Sequence, residues 1–161
     1  MAIMYLMPDR NCGLGHVARC DVLSKAWGSA LYTDLHNPSE LESGIAVFDN
    51  YYIEDRVKVA WMLADHLVVT LTEFAKPTAG NMVINQNLGA ETLRGTYGYV
   101  QELLGPRYFL LRSEYQNISI SEDMGVVDLD SYGRRLSPMR FAQAVANAAV
   151  VVTSAGLAAY E

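Results

Sequence analysis

The sequence predicts an α/β fold with a doubly wound, mostly parallel sheet. Short apolar runs alternate along the chain with segments of helical periodicity, the order that builds βαβ units. Runs such as Gly44-Ile45-Ala46-Val47-Phe48 and Leu67-Val68-Val69-Thr70-Leu71 are apolar without alternation, as in strands covered on both faces. Polar residues capable of chemistry follow directly after these runs, and ligands of parallel sheets bind beyond the carboxyl ends of the strands.

Taken in order, Ile3-Met4-Tyr5-Leu6-Met7 is the first strand. The first helix follows it, with Val17, Cys20, Leu23, Ser24 and Trp27 recurring three or four apart. Ala30 to Thr33 is a second strand, and a polar connection from Asp34 to Ser43 leads to the third, Gly44 to Phe48. Ile53, Val57, Ala60, Trp61 and Ala64 mark a second amphipathic helix. Leu67 to Leu71 and Met82-Val83-Ile84 are the next two strands. A polar turn and an ill-defined helical stretch lead to Leu103-Leu104-Gly105-Pro106, and Tyr108-Phe109-Leu110-Leu111 reads as a strand ending at Arg112. Beyond the polar stretch from Asn117 to Gly125, Val126 to Leu129 is read as a strand and Pro138 to Ala148 as a helix, with Ser137 as N-cap. Ala149 to Thr153 is then a buried strand, and Ser154-Ala155-Gly156 a turn into a last helix.

Composition narrows the function. Half of the 161 residues are hydrophobic and the formal net charge is −6, which describes a globular chain without the cationic face that nucleic acid requires. An anionic small ligand stays compatible where positive groups and helix ends gather locally. No apolar run is long enough for a membrane span, and the first residues lack the pattern of a signal peptide. The cytoplasm is the expected location. Cys12 and Cys20 read as reduced thiols. With His16 they lack a trusted metal-ligand spacing, so no metal and no cofactor is expected.

The chemistry centres on Cys12-Gly13-Leu14-Gly15-His16-Val17-Ala18-Arg19-Cys20. Strand, glycine turn and helix N-terminus together offer free N–H groups to an anion. Histidine titrates nearer to neutrality than any other side chain and serves as a general base. The third glycine of the dinucleotide fingerprint is missing, which argues against NAD. A plain turn with His16 as a capping or surface residue is the structural alternative. Other strand-end candidates are Asp49 and Tyr51, Thr72 and Glu73, Asn85 and Asn87, and Arg112 and Glu114. His36 and His66 are read as inert.

Several of these stretches together resemble the UDP-sugar hydrolases of the pseudaminic acid pathway, relatives of the GT-B glycosyltransferases. The stretch Gly13-x-Gly15-His16-x-x-Arg19-Cys20 is similar to that family's first glycine loop, and Val47-Phe48-Asp49-x-Tyr51 to a strand end. Val83-Ile84-Asn85-Gln86-Asn87 and Gly105-Pro106-x-Tyr108-x-Leu110-Leu111-Arg112-x-Glu114 resemble two further motifs, and Ser154-Ala155-Gly156-x-x-x-Tyr160-Glu161 the start of the nucleotide loop. The resemblance implies a Rossmann-like GT-B N-terminal domain over residues 1–116. Residues 117–161 would be a linker and an incomplete second domain, because a full second half needs about 100–150 residues. It implies a UDP-sugar substrate held between two domains and cleaved at its anomeric C–O bond, by water in a hydrolase or by a sugar or protein hydroxyl in a transferase.

Carried over, His16 would be the base, and Asp49 and Tyr51 would orient His16 or the acceptor. Gly13, Gly15, Arg19, Tyr51, Glu73, Asn85 and Arg112 would face the substrate, and Ser154, Gly156 and Glu161 the nucleotide. Glu73 would stand alone where the family carries an acidic pair. A third expectation is a truncated, non-catalytic module that binds a partner or assembles with its own copies through the incomplete C-terminal part.

Overall fold

The computed structural model describes residues 2–10, 14–28, 30–34, 36–98, 100–110, 125–128, 139–140, 143 and 148–152. The chain divides into two compact units, Met1–Leu110 and Leu111–Glu161. The first contains strands β1 (Ile3–Pro8), β2 (Ala30–Tyr32), β3 (Gly44–Asp49), β4 (Leu67–Leu71), β5 (Met82–Asn85) and β6 (Gln101–Leu104). Helix α1 (Leu14–Trp27) follows β1, and α2 (Asp55–Leu63) follows β3. The strands form one sheet in the order β2-β1-β3-β4-β5-β6, and every neighbouring pair is parallel. This is the doubly wound Rossmann-like α/β sheet that the apolar runs predicted.

Both faces of the central strands β1, β3 and β4 are buried, and the period of two along β1 divides its side chains between them. Met4 and Leu6 join Cys20, Val47, Val69 and Leu71 in one core cluster, against which Leu23 and Trp27 of α1 pack. Tyr5 and Met7 join Ala46, Phe48, Val68 and Trp61 in the other, flanked by Val57 and Met62 of α2. The two helices therefore cover opposite faces. His66 is buried beside Tyr5 and Trp61, and its Nε2 lies 3.1 Å from the carbonyl of Pro38.

The ladder is tightest where β1 meets β3. Gly44 stands opposite Ile3, and a Cβ at Gly44 would lie 2.3 Å from the Ile3 carbonyl oxygen. Backbone cannot move aside as a flexible side chain does. Gly44→Ala is expected to cost about 1–3 kcal/mol, read as a lower urea midpoint at constant m-value. An unchanged midpoint would mean that the pair is not so close.

Helix α2 begins later than its apolar pattern suggested. Ile53 lies outside it, and the extended Glu54 is its N-cap. Asp55 in the first turn accepts from Lys58 Nζ at 3.1 Å and from Thr78 Oγ1 at 3.2 Å. Burial alone would raise the Asp55 pKa. The bond from Lys58, a backbone bond from Ala79 and the Lys58 charge outweigh it and hold the carboxyl below its ordinary value. A depressed folded-state pKa adds stability that is present above the unfolded value and lost as pH falls through the folded one. The advantage of the native chain over Asp55→Asn should be full above about pH 5 and shrink below the ordinary carboxylate range. Urea unfolding at several pH values checks this, and a constant difference would contradict it.

The last strand of the first unit corrects the expectation. Gln101–Leu104 pairs with β5, whereas Tyr108 lies in a 3-10 turn, Pro106–Tyr108. Gly105 has φ 101°, a conformation that suits glycine, and it turns the chain out of the ladder before Pro106. Leu110 spends its apolar side chain against the Leu6–Leu71 cluster, and its N–H reaches Gln86 Oε1 at 3.3 Å. The stretch is apolar for packing and not for pairing.

In the second unit, β7 (Gly125–Asp128) and β8 (Ala148–Val152) pair in parallel, and Met139, Arg140 and Gln143 between them are helical. Among the described residues no helix is long and apolar enough to cross a membrane.

Candidate functional site

The strand order places a switch point between β1 and β3. From β1 the chain steps to β2 on one side, and β3 then pairs on the other side of β1. Connections leaving β1 and β3 diverge at such a switch point, which opens the carboxyl edge of the sheet. The N–H of Asp9 donates to the Asp49 carbonyl at 2.7 Å, so the two strand ends are tied one residue beyond the ladder.

Helix α1 begins at Leu14, which puts Gly15 and His16 in its first turn and Arg19 in its second. Gly15 is thus a helical residue and not part of the turn that precedes the helix. Spaced by three, His16 and Arg19 share one helix face, and both converge on Asp49 at the end of β3. His16 Nδ1 lies 2.7 Å from Asp49 Oδ1. Arg19 Nε donates to Asp49 Oδ2 at 2.9 Å, and Nη2 donates to Oδ1 at 2.8 Å. His16, Arg19 and Asp49 are 4%, 5% and 0% exposed, so the ion pair is shielded from water.

Two contacts at Nδ1 ask opposite roles of the imidazole. A carboxylate only accepts and a guanidinium only donates. Arg19 Nη2 also stands 2.9 Å from His16 Nδ1. If Nδ1 were an acceptor, its lone pair would face Asp49 Oδ1 at 2.7 Å with no proton between them. Arg19 Nη2 can only donate and would ask for a bare Nδ1, but it has Asp49 Oδ1 as a partner at 2.8 Å. With the proton on Nδ1 given to Asp49, the shorter of the two contacts, the basic nitrogen of His16 is Nε2. The third guanidinium nitrogen, Arg19 Nη1, donates to Glu73 Oε1 at 3.0 Å, where the Glu73 side chain is 42% exposed. Burial alone would lower the Arg19 pKa, but Asp49 above all raises it beyond its ordinary value, and the group stays charged.

Tyr51 closes one side. Its ring meets His16 edge-on, with centroids 4.6 Å apart, and meets Phe74 at 5.0 Å. Burial first, then the bond to Glu73, push the Tyr51 hydroxyl above the ordinary phenol range, so it donates to Glu73 as a neutral group. One turn along α1, burial and then the Asp49 charge push the Cys20 thiol up to about 12. Cys20 is a packing residue in its protonated form, not a nucleophile.

No family model matches the chain, and no curated protein matches it.

Five of the residues picked from the sequence, His16, Arg19, Asp49, Tyr51 and Glu73, thus form one connected cluster. Asn85 belongs elsewhere. It is buried at the end of β5, its Nδ2 donates to Tyr97 Oη at 2.8 Å, and its Oδ1 accepts from the Asn87 N–H at 3.1 Å. Gly13, Arg112, Ser154, Gly156 and Glu161 lie outside the described residues. Among the described residues no group of three His, Cys, Asp or Glu is placed to hold a metal ion.

Sequence inspection passed over Asp9, which is fully buried at the end of β1. The criterion that selected Asp49, a carboxylate directly after an apolar run, applies to it equally. Chemically the cluster offers one basic nitrogen, oriented by a buried carboxylate that an arginine in turn holds fixed. That is the equipment of a general base.

Proposed function

We propose that this chain is an enzyme of nucleotide-sugar chemistry, in which His16 is the general base for cleavage of the anomeric C–O bond of a UDP-sugar. The supporting observation is the 2.7 Å contact between His16 Nδ1 and Asp49, made at the switch point of a parallel sheet. In this reaction His16 Nε2 takes a proton from water as the water oxygen bonds to the anomeric carbon. The bond from that carbon to the phosphate oxygen breaks, and UDP departs with its electron pair. Asp49 holds the imidazole in the reactive tautomer and stabilises the imidazolium that forms. Arg19 fixes Asp49, and Tyr51 sets the angle of the ring. The UDP-sugar itself comes from the resemblance of the glycine loop and the strand ends, not from the cluster.

Incubating the chain with UDP-sugars and following UDP release without an acceptor tests this. Release that disappears in His16→Ala supports hydrolysis. Release that requires an added sugar or peptide hydroxyl would assign the same base to a transferase. Saturable UDP binding without turnover would leave a binding module in place of an enzyme.

A further inference from the structure

Tyr51 also lines a cavity in which His16 is not among the lining residues. Its volume is about 420 Å³, and Tyr51, Tyr52, Phe74, Lys58, Lys76 and Thr72 are among its lining residues. That size suits a small organic molecule. It sits between the residues after β3, the first turns of α2 and the connection after β4, all within the first unit.

Its charges are unevenly paired. Lys58 is only 5% exposed, and a buried ammonium requires partners. Two of its three N–H groups go to Asp55 Oδ1 at 3.1 Å and Thr78 Oγ1 at 2.7 Å. Asp55 neutralises it. Glu54, also on the lining, is taken by Arg56, with Nε 2.6 Å from Oε2. Lys76 remains. Its Nζ stands 5.5 Å from the Phe74 ring centroid, with no carboxylate at ion-pair distance among the described residues. The lining is neutral in sum, with Glu54 and Asp55 against Lys58 and Lys76, and Lys76 is the charge in it that has no ion-pair partner among the described residues, beside exposed aromatic surface from Tyr52 and Phe74.

We propose that this cavity is a binding site for a small organic anion with a ring body and one acidic head, a carboxylate or a phosphate. The head takes the third N–H of Lys58 and the charge of Lys76. The ring lies against Phe74 and Tyr52, and the Thr72 hydroxyl supplies a further polar contact. Nothing in this assignment requires His16 to be a base.

Titration of the full chain with benzoate and with phenylphosphonate, followed by calorimetry, tests the assignment. Benzyl alcohol serves as the uncharged control. The expected result is saturable binding of at least one anion below about 10 mM, with the tighter of the two identifying the head group. Lys76→Gln should weaken it about two- to fivefold, as for a partly exposed charge. Lys58→Met should weaken it about tenfold or more. If Lys58→Met does not fold, Lys76→Gln decides alone. Absence of saturable binding for both anions, equal binding of benzyl alcohol, or an unaltered Lys76→Gln would each overturn the assignment.

Discussion

Asp49→Ala is expected to destabilise the first unit by about 3–5 kcal/mol, the largest stability change of any single substitution in the cluster. Asp49 is fully buried and accepts from Arg19 through both oxygens. Its removal leaves a guanidinium, itself 5% exposed, with the half-exposed Glu73 as its one remaining ion-pair partner among the described residues. Stranding a charge costs more than the pair contributes, so replacing both partners should hurt less. The double substitution Arg19→Met with Asp49→Leu is expected to recover most of the loss. Urea unfolding of the two single variants and the double variant measures the coupling. A loss below about 1 kcal/mol in Asp49→Ala would place the pair among solvated surface bridges.

His16→Ala should separate chemistry from folding. His16 makes one hydrogen bond to Asp49, and losing it is expected to cost about 1 kcal/mol. Turnover of a UDP-sugar should fall about 10²- to 10⁴-fold, the range for a general base. Asp49→Asn should also lower turnover, because an amide can present N–H to Nδ1 and favour the wrong tautomer. A variant without His16 that folds and releases UDP at the native rate would remove the base from the mechanism. The pairing of large kinetic and small thermodynamic change for His16, against a large thermodynamic change for Asp49, is the pattern to seek.

What could be read in advance followed from local chemistry. The central strands announced themselves because both faces of β1, β3 and β4 are covered, which demands continuous apolar residues. Strand β6 did not. It ends the sheet, and only Leu104 of Gln101–Leu104 is buried, so an edge strand with two polar residues carried no such signature. His16 and Asp49 were accessible to inspection because each occupies a helix start or a strand end. The central place of Arg19 was not, since a guanidinium one turn inside a helix reads as solvated until the helix face is known. Lys58 is a similar case. Lysine on an amphipathic helix reads as surface, and its burial depends on Thr78, which only the tertiary fold brings within 2.7 Å.

The bond from Arg19 Nη1 to Glu73 has a dynamic consequence. Glu73 belongs to the connection that leaves β4, and such connections open locally far below the cost of global unfolding. Each excursion of that loop detaches one anchor of the guanidinium. Amide exchange near Glu73 and the fidelity with which His16 is held are thereby coupled through one planar side chain, and stiffening the loop would sharpen the geometry of a nitrogen it never touches.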